Sequence, residues 1–181
     1  MKKLFFVALL AGCLALPAQE TKHEIVNSHG QAADTKPLSP AVPDVFAVSG
    51  HMQRIVVLRF KFGTDLLAGL KEMIAQEKIK NAVILSGFGS VRGYQVHQVA
   101  NRDFPSHDLF VKDPTKPADI IGMSGMVMDG RVHPHITLAN GDTAFGGHLE
   151  PDTHVFTFAV ITLGVLDDSM DMSRFDDSSY R

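Results

Sequence analysis

The sequence GMSGMVMDGRVHPHITLANGDTAFGGHL, residues 122–149, decides the fold of this protein. Asp129-Gly130 and Asn140-Gly141 are dipeptides that favour the two-residue turns of β-hairpins. Both are flanked by segments in which apolar residues alternate with small or polar ones, as in strands with one buried face. The stretch therefore predicts three consecutive antiparallel strands joined by two tight turns.

Three histidines of this stretch are predicted to project from one face of the sheet. Pairing continued outward from Asn140-Gly141 places His133 opposite His148 and His135 opposite Gly146. Residues two apart in a strand share a face, and so do directly opposed residues. Three neutral imidazoles suit Zn²⁺, although nickel, copper or iron would also fit. The alternative interpretation is three surface histidines held by ordinary hydrogen bonds.

Other polar residues surround this predicted site in the sequence. Glu150 lies two residues beyond His148 and is predicted to share its face, as an auxiliary fourth ligand, a general base or a solvated carboxylate. His97 and His107 are expected to pack as ordinary polar residues, or to reach the site of a neighbouring subunit. No residue is marked as a catalytic acid or base, so the catalytic residues are unknown at this stage.

The rest of the folded chain reads mainly as strands. β-branched and apolar runs predict strands, and Thr64 or Asp65 is expected to cap one amphipathic helix. The predicted strands cover residues 54–61, 81–86, 93–99 and 153–165, with a turn at 87–90 and a polar loop at 101–117. Because strands outnumber helices and the turns are short, the predicted class is α+β with antiparallel pairing.

The N-terminus is predicted to export and anchor the protein. Residues 1–12 combine two lysines with an apolar run too short to span a bilayer, which is typical of a signal peptide. The sequence Leu-Ala-Gly before Cys13, the one cysteine of the chain, resembles the lipobox of bacterial lipoproteins. Lipidation of Cys13 would hold the protein on a membrane, with its domain in the periplasm or outside the cell. The alternative is ordinary cleavage after Ala18.

Composition divides the chain further and argues against one class of partner. Residues 13–50 are rich in proline and small polar residues and predict a flexible tether. Residues 51–166 form the predicted domain, and residues 167–181 an acidic tail. The net charge is −3 and no basic patch occurs, so nucleic acid is a poor electrostatic partner.

Several short motifs resemble the PPC (plants and prokaryotes conserved) domain. They are LSGFGSV at 85–91, GMSGMV at 122–127, DG at 129–130, HPHITL at 133–138 and GGHL at 146–149. The resemblance implies an antiparallel sheet flanked by helices, a homotrimer, and a metal, usually taken as zinc, held by the histidines of the last two motifs. Plant members add a DNA-binding AT-hook, which this sequence lacks.

Three functions remain open at this point. The first is an exported zinc-binding protein that takes a small ligand at the metal. The second is a zinc-dependent hydrolase or lyase of a small molecule, because zinc held by three imidazoles can activate bound water. The third is DNA binding, as in the plant relatives.

Overall fold

The computed structural model describes residues 20–27 and 37–181, so the predicted signal peptide at 1–12 and the predicted lipidation site at Cys13 lie outside the described residues. The described part consists of eight strands and one helix. In chain order they are β1 (Lys22–Asn27), β2 (Met52–Lys61), α1 (Leu66–Gln76), β3 (Ala82–Val99), β4 (His107–Asp113), β5 (Ala118–Met128), β6 (Arg131–Ala139), β7 (Ala144–Leu149) and β8 (His154–Leu166). All pairings are antiparallel, as predicted, but a single helix accompanies the sheet within this part of the chain.

Strand β3 organises the sheet because its two halves have different neighbours. Its first half pairs with β5 and β8, and its second half pairs with β4 and β7. Strands β5, β6 and β7 follow one another in the sheet, so they leave β3 at one half and return to it at the other. These four strands therefore close on themselves, while β8 and β2 extend the sheet on one side and β4 and β1 on the other.

The core lies inside this closed arrangement and beneath the helix. Asp65 caps α1, because its carboxylate accepts a hydrogen bond from the Ala68 amide at 2.8 Å. The apolar face of α1, with Leu66 and Leu70 fully buried, packs on the sheet. Ile136 and Leu138 of β6 are also buried, which confirms the predicted inward face of that strand. The histidines of β6 consequently lie on the outer face.

Two segments predicted as irregular contain strands. The loop expected at 101–117 includes β4, and the tether expected at 13–50 includes β1, which pairs with β4 at the sheet edge. The strands predicted at 81–86 and 93–99 are one continuous strand with register shifts where a turn was expected. The β1–β4 pairing joins segments distant in sequence, so local patterns gave no signal for it.

Strand β1 is fixed to the sheet by a buried carboxylate. Asp113 accepts hydrogen bonds from the Thr21 hydroxyl at 2.7 Å, from the amide and hydroxyl of Thr115, and from the Lys116 amide. Burial by itself would raise the pKa of Asp113, but these hydrogen bonds outweigh it and hold the pKa at about 2. The ionised form is thus the one that ties residue 21 to the end of β4.

The acidic tail at 167–181 carries no helix or strand, yet it packs against the domain. Met172 is 2% exposed, and the Asn81 side chain donates to the carbonyls of Asp167 and Met170. Asp176 forms a 3.2 Å ion pair with Arg131 at the start of β6. Within the described part of the chain, no helix is long and apolar enough to cross a membrane.

Replacing Asp113 should weaken the fold in a pH-dependent way. Asp113→Asn is expected to lower the free energy of unfolding at pH 7 by about 1–3 kcal/mol, because the donors from Thr21, Thr115 and Lys116 lose a buried, ionised acceptor. In the native protein this contribution is complete above the unfolded pKa near 4 and disappears as pH falls towards 2. Urea denaturation between pH 7 and pH 2 measures it. Asp119→Asn, at an exposed site on β5, is the control. If the difference in free energy of unfolding between the native protein and Asp113→Asn stayed constant from pH 7 to pH 2, the assignment would be contradicted.

Candidate metal centre

The turn between β6 and β7 is wider than predicted, and this changes the register of the histidines. Residues 140–143 form the turn, in which the Asn140 side chain accepts hydrogen bonds from the amides of Asp142 and Thr143. As a result His135, and not His133, lies opposite His148, and Gly146 lies opposite Thr137. The predicted register was wrong by two residues. Since side chains alternate with a period of two, the three histidines still share a face.

The two-residue turn predicted at Asp129-Gly130 is confirmed, and with it the register between β5 and β6. Strands β5 and β6 meet at the turn after Met128, and the pairing places Met126 opposite His133 and Ser124 opposite His135. Gly125 lies between these two partners with a φ of +130°, and a Cβ atom there would overlap the His133 carbonyl. A glycine is therefore required for β5 to approach β6 beneath the histidines.

The three imidazoles lie close together on the outer face. The Nε2 atoms of His133 and His135 are 3.2 Å apart. The ring centroid of His148 is 4.8 Å from that of His133 and 5.7 Å from that of His135, and its ring is nearly perpendicular to both, at 88° and 83°. Two neighbouring strands thus contribute three rings to one cluster.

A fourth histidine joins this cluster from β3. His97 pairs directly with His148 across the β3–β7 contact, and the two rings stack with centroids 4.7 Å apart. The other side of His97 contacts the ring of Phe110 on β4 at 5.2 Å. Sequence reasoning did not include His97 in the site, because the β3–β7 pairing joins segments about fifty residues apart and no turn motif announces it.

Glu150 binds two of the four imidazoles through a single oxygen. Its Oε1 atom lies 2.6 Å from Nδ1 of His97 and 2.8 Å from Nδ1 of His148. Burial would raise the pKa of Glu150, but hydrogen bonds from both histidines outweigh it and hold the pKa at about 2. The carboxylate is therefore ionised and accepts both Nδ1–H groups, which turns the Nε2 atom of each ring away from it.

The protonation of the other imidazoles follows from burial and from neighbouring charge. Burial, followed by the charge of neighbouring imidazoles, lowers the pKa of His133 and of His135. The hydrogen bond to Glu150 raises the pKa of His97. Near neutral pH His133 and His135 are therefore uncharged, which is the form that binds a metal ion.

The geometry of His133 and His135 fits a shared tetrahedral ion. Ligands at the usual Zn–N distance of ~2.0–2.1 Å are ~3.3 Å apart in a tetrahedral site, close to the observed 3.2 Å between the two Nε2 atoms. Ligating atoms of His97, His148 and Glu150 also lie within 4.8 Å of one another, so this group could hold an ion. Its contacts to Glu150, at 2.6 and 2.8 Å, have the length of charge-assisted hydrogen bonds and are shorter than a tetrahedral ligand spacing.

Other candidate residues lie away from the cluster. His107 is on β4 at the far end of the β3–β4 hairpin and pairs with Asn27, and His154 starts β8 and contacts the carbonyl of Asp152. His23 lies on β1, where its partner is Val111. The cluster thus consists of His97, His133, His135, His148 and Glu150.

The chain belongs to a known domain family. Residues 47–167 match the Plants and Prokaryotes Conserved (PCC) domain, which confirms the resemblance drawn from the motifs. The match begins after β1 and ends at the start of the acidic tail, so it covers the closed strands, the helix and the whole histidine cluster. Comparison with curated proteins found no match.

Solved structures with this fold come from archaea and bacteria. A metal-containing protein from Archaeoglobus fulgidus is 22% identical with a TM-score of 0.60, and the alignment covers 75% of this chain and 95% of that one. A hypothetical protein from Salmonella enterica is 20% identical with a TM-score of 0.55, over 67% and 81%. A plant- and prokaryote-conserved protein from Pyrococcus horikoshii is 24% identical with a TM-score of 0.53, over 70% and 85%. These likenesses establish the fold.

Removing the charge of Glu150 should change the titration of His97. In metal-free protein, Glu150→Gln is expected to lower the pKa of His97, because the ionised carboxylate that favours the imidazolium form is lost. Chemical shifts of the imidazole nitrogens, recorded by NMR across pH 5–9, measure this pKa. Glu77→Gln, which changes a carboxylate paired with Arg54 far from the cluster, should leave it unaltered. An unchanged His97 in Glu150→Gln would contradict the assigned hydrogen bond.

Proposed function

We propose that this protein binds one divalent transition metal, zinc in the first instance, through His133, His135 and His148, and takes a small ligand at that metal. The observation that carries the proposal is the 3.2 Å separation of the two Nε2 atoms on β6. Two unprotonated imidazole nitrogens at that distance would repel each other, and a shared cation removes the repulsion. A hydrogen bond between them is the alternative, and metal analysis distinguishes the two.

The third ligand is supported by the orientation of His148. Its Nδ1–H group is held by Glu150, so the ring offers Nε2, the same atom that His133 and His135 direct towards each other. Histidine ligands of zinc are commonly oriented in this way by a carboxylate. Zinc is favoured because neutral imidazoles are its usual ligands, and three of them leave a position for water or an anion.

The name of one relative is consistent with this proposal. The structure from Archaeoglobus fulgidus is that of a metal-containing protein, and it shares the fold over 95% of its length. At 22% identity this supports metal binding by the fold and leaves the ligand set to the geometry of the present chain. The bound metal, on this proposal, is coordinated on the outer face of the closed strands.

Metal content is the direct test of the site. The purified protein is expected to hold close to one zinc ion per chain after dialysis, and His133→Ala, His135→Ala and His148→Ala should each lose most of it, because two remaining imidazoles bind zinc much more weakly. Elemental analysis measures the content. His51→Ala, at an exposed histidine outside the cluster, should keep the ion. Equal metal content in the three variants and the control would refute the site.

A homotrimer is also proposed, through an apolar surface on the opposite side of the core sheet from α1. This apolar outer face contains large side chains that are 38–64% exposed: Ile55, Val57, Phe88, Ile121, Phe156 and Phe158. The Phe88 and Phe158 rings contact each other at 6.3 Å, and Phe88, Ile121, Phe156 and Phe158 line one groove. An apolar patch of this kind usually marks an interface, and the family resemblance suggests that three copies share it.

Size-exclusion chromatography coupled to light scattering should give a mass three times that of one chain. The double variant Phe88→Asp with Phe158→Asp is expected to elute as a monomer, because burying two carboxylates in an apolar interface is unfavourable. Lys71→Asp, on the exposed side of α1, should not alter the mass. A wild-type protein that is monomeric at micromolar concentration would rule out the assembly.

We further propose that Cys13 is lipidated and that the domain is held at a membrane surface. The support is the sequence alone: a charged start, a short apolar run, and a single cysteine at the lipobox position. Strand β1 begins nine residues after Cys13 and is docked on the sheet edge. The anchor would therefore attach close to the folded domain.

Membrane fractionation with mass spectrometry tests the anchor. The mature protein is expected in the membrane fraction with a diacylglyceryl modification at Cys13, whereas Cys13→Ser should be released in soluble form or remain unprocessed. Ser28→Ala provides a control substitution in the same tether. Membrane association and lipid that persist in Cys13→Ser would show that another feature holds the protein there.

A further inference from the structure

His97 has no assigned part in the three-histidine site, and its contacts with His148 and Glu150 point to one. His97 lies on β3 beside His148 on β7, while His133 and His135 lie on β6, so His148 separates His97 from the other two. The ring planes of His97 and His148 differ by 26°, whereas His148 meets His133 and His135 at 88° and 83°. The His97 ring thus lies beside that of His148, the proposed third ligand, and is not itself placed as a ligand of the same ion.

Glu150 holds the rings of His97 and His148 by the same ring nitrogen. The single Oε1 atom accepts from Nδ1 of each, at 2.6 and 2.8 Å, so each Nε2 atom points away from the carboxylate. The His97 ring cannot easily rotate, because it is packed between His148 and Phe110. The Nε2 atom of His97 has no protein partner among the hydrogen bonds of the described residues that involve this ring.

We propose that the Nε2 atom of His97 contacts the small ligand in the metal's fourth position, and that Glu150 is a positioning residue that fixes His97 for this contact and His148 for ligation. This rests on the proposed three-histidine site. The ligand class is water or a small oxygen- or nitrogen-donor anion. Neutral His97 accepts a hydrogen bond from bound water, and protonated His97 donates one to a bound anion, so the contact exists in both states.

The ring contacts of the cluster agree with this placement. The His148 centroid is 4.7 Å from that of His97, 4.8 Å from that of His133 and 5.7 Å from that of His135, so one ring separates His97 from the other two ligands. Charged groups that face the cluster from other elements are Asp108 on β4 and Asp176 in the tail. Among the described residues, neither forms a hydrogen bond with His97, whose one hydrogen bond to a side chain is the Nδ1 contact with Glu150.

This arrangement also supplies what a zinc-dependent hydrolase or lyase would require. Such an enzyme needs a side chain beside the metal that can orient bound water without ligating the ion. His97, held by an ionised carboxylate, is the residue of the described chain that meets this description. The contact is equally suited to selecting an anion in a protein that only binds.

Cobalt-substituted full-length protein tests the proposal, with azide as the anionic probe and the visible Co²⁺ absorption as the readout. His97→Phe keeps an aromatic ring between His148 and Phe110 but removes both nitrogens. Its affinity for Co²⁺ is expected to stay within about threefold of that of wild type. Its affinity for azide is expected to fall about tenfold, because one hydrogen bond to the anion is lost. His107→Phe, the same substitution outside the cluster on β4, should match wild type in both.

Variants of Glu150 test the positioning role. Glu150→Ala is expected to weaken Co²⁺ binding 10–100-fold, as removal of a carboxylate behind a histidine ligand usually does, and to weaken azide binding to the remaining Co²⁺ form. Glu150→Gln retains a carbonyl oxygen that can accept one Nδ1–H, so its affinities for Co²⁺ and for azide should lie between those of Glu150→Ala and wild type. Circular dichroism of each variant verifies folding, and His97→Ala serves as a second variant if His97→Phe does not fold.

The outcomes separate this inference from the site on which it rests. Wild-type protein that takes up no Co²⁺ removes the proposed metal site itself. Normal Co²⁺ binding together with unchanged azide affinity in His97→Phe and His97→Ala overturns the role of His97 alone. Loss of Co²⁺ in those variants would make His97 a ligand, which also overturns the inference.

Discussion

The contact between the second half of β3 and β7 is the constraint on which the rest of this structure depends. Val96 pairs there with Leu149, and both are fully buried, while His97 pairs with His148 on the outer face. This pairing returns β7 to β3 and closes four strands around the core. The same contact completes the histidine cluster, so the hydrophobic burial that stabilises the closed strands also fixes the geometry of the site.

The cluster can remain in place because Glu150 holds two of its imidazoles while the pKa values of the other two are lowered. Four imidazoles on one face would repel if all were protonated, and burial lowers the pKa of His133 and His135. Glu150 balances this by accepting two Nδ1–H groups with one oxygen, which gives His97 and His148 defined orientations. Two hydrogen bonds thus orient the imidazoles of β3 and β7 before the proposed cation binds.

The outer surfaces of the sheet have separate chemical characters. The strands β6, β7 and the second half of β3 present histidines and a carboxylate, while β2, β8 and the first half of β3 present exposed aliphatic and aromatic side chains. The histidine surface suits a metal and its ligand, and the apolar outer face suits another copy of the chain. Because β3 takes part in both surfaces, the proposed assembly and the proposed metal site would share one strand.

The sequence by itself determined the antiparallel class, the domain family, the β5–β6 register and the shared face of His133, His135 and His148, because turn dipeptides and alternation act locally. It did not determine the β6–β7 register, since the Asn140 side chain widens that turn. It also missed β4, which lies in a segment with prolines and many polar residues, and it missed β1 and His97, whose positions depend on pairings between distant segments. Only the tertiary structure could add His97 and the shared contact of Glu150, because β3 reaches β7 solely through closure of the sheet.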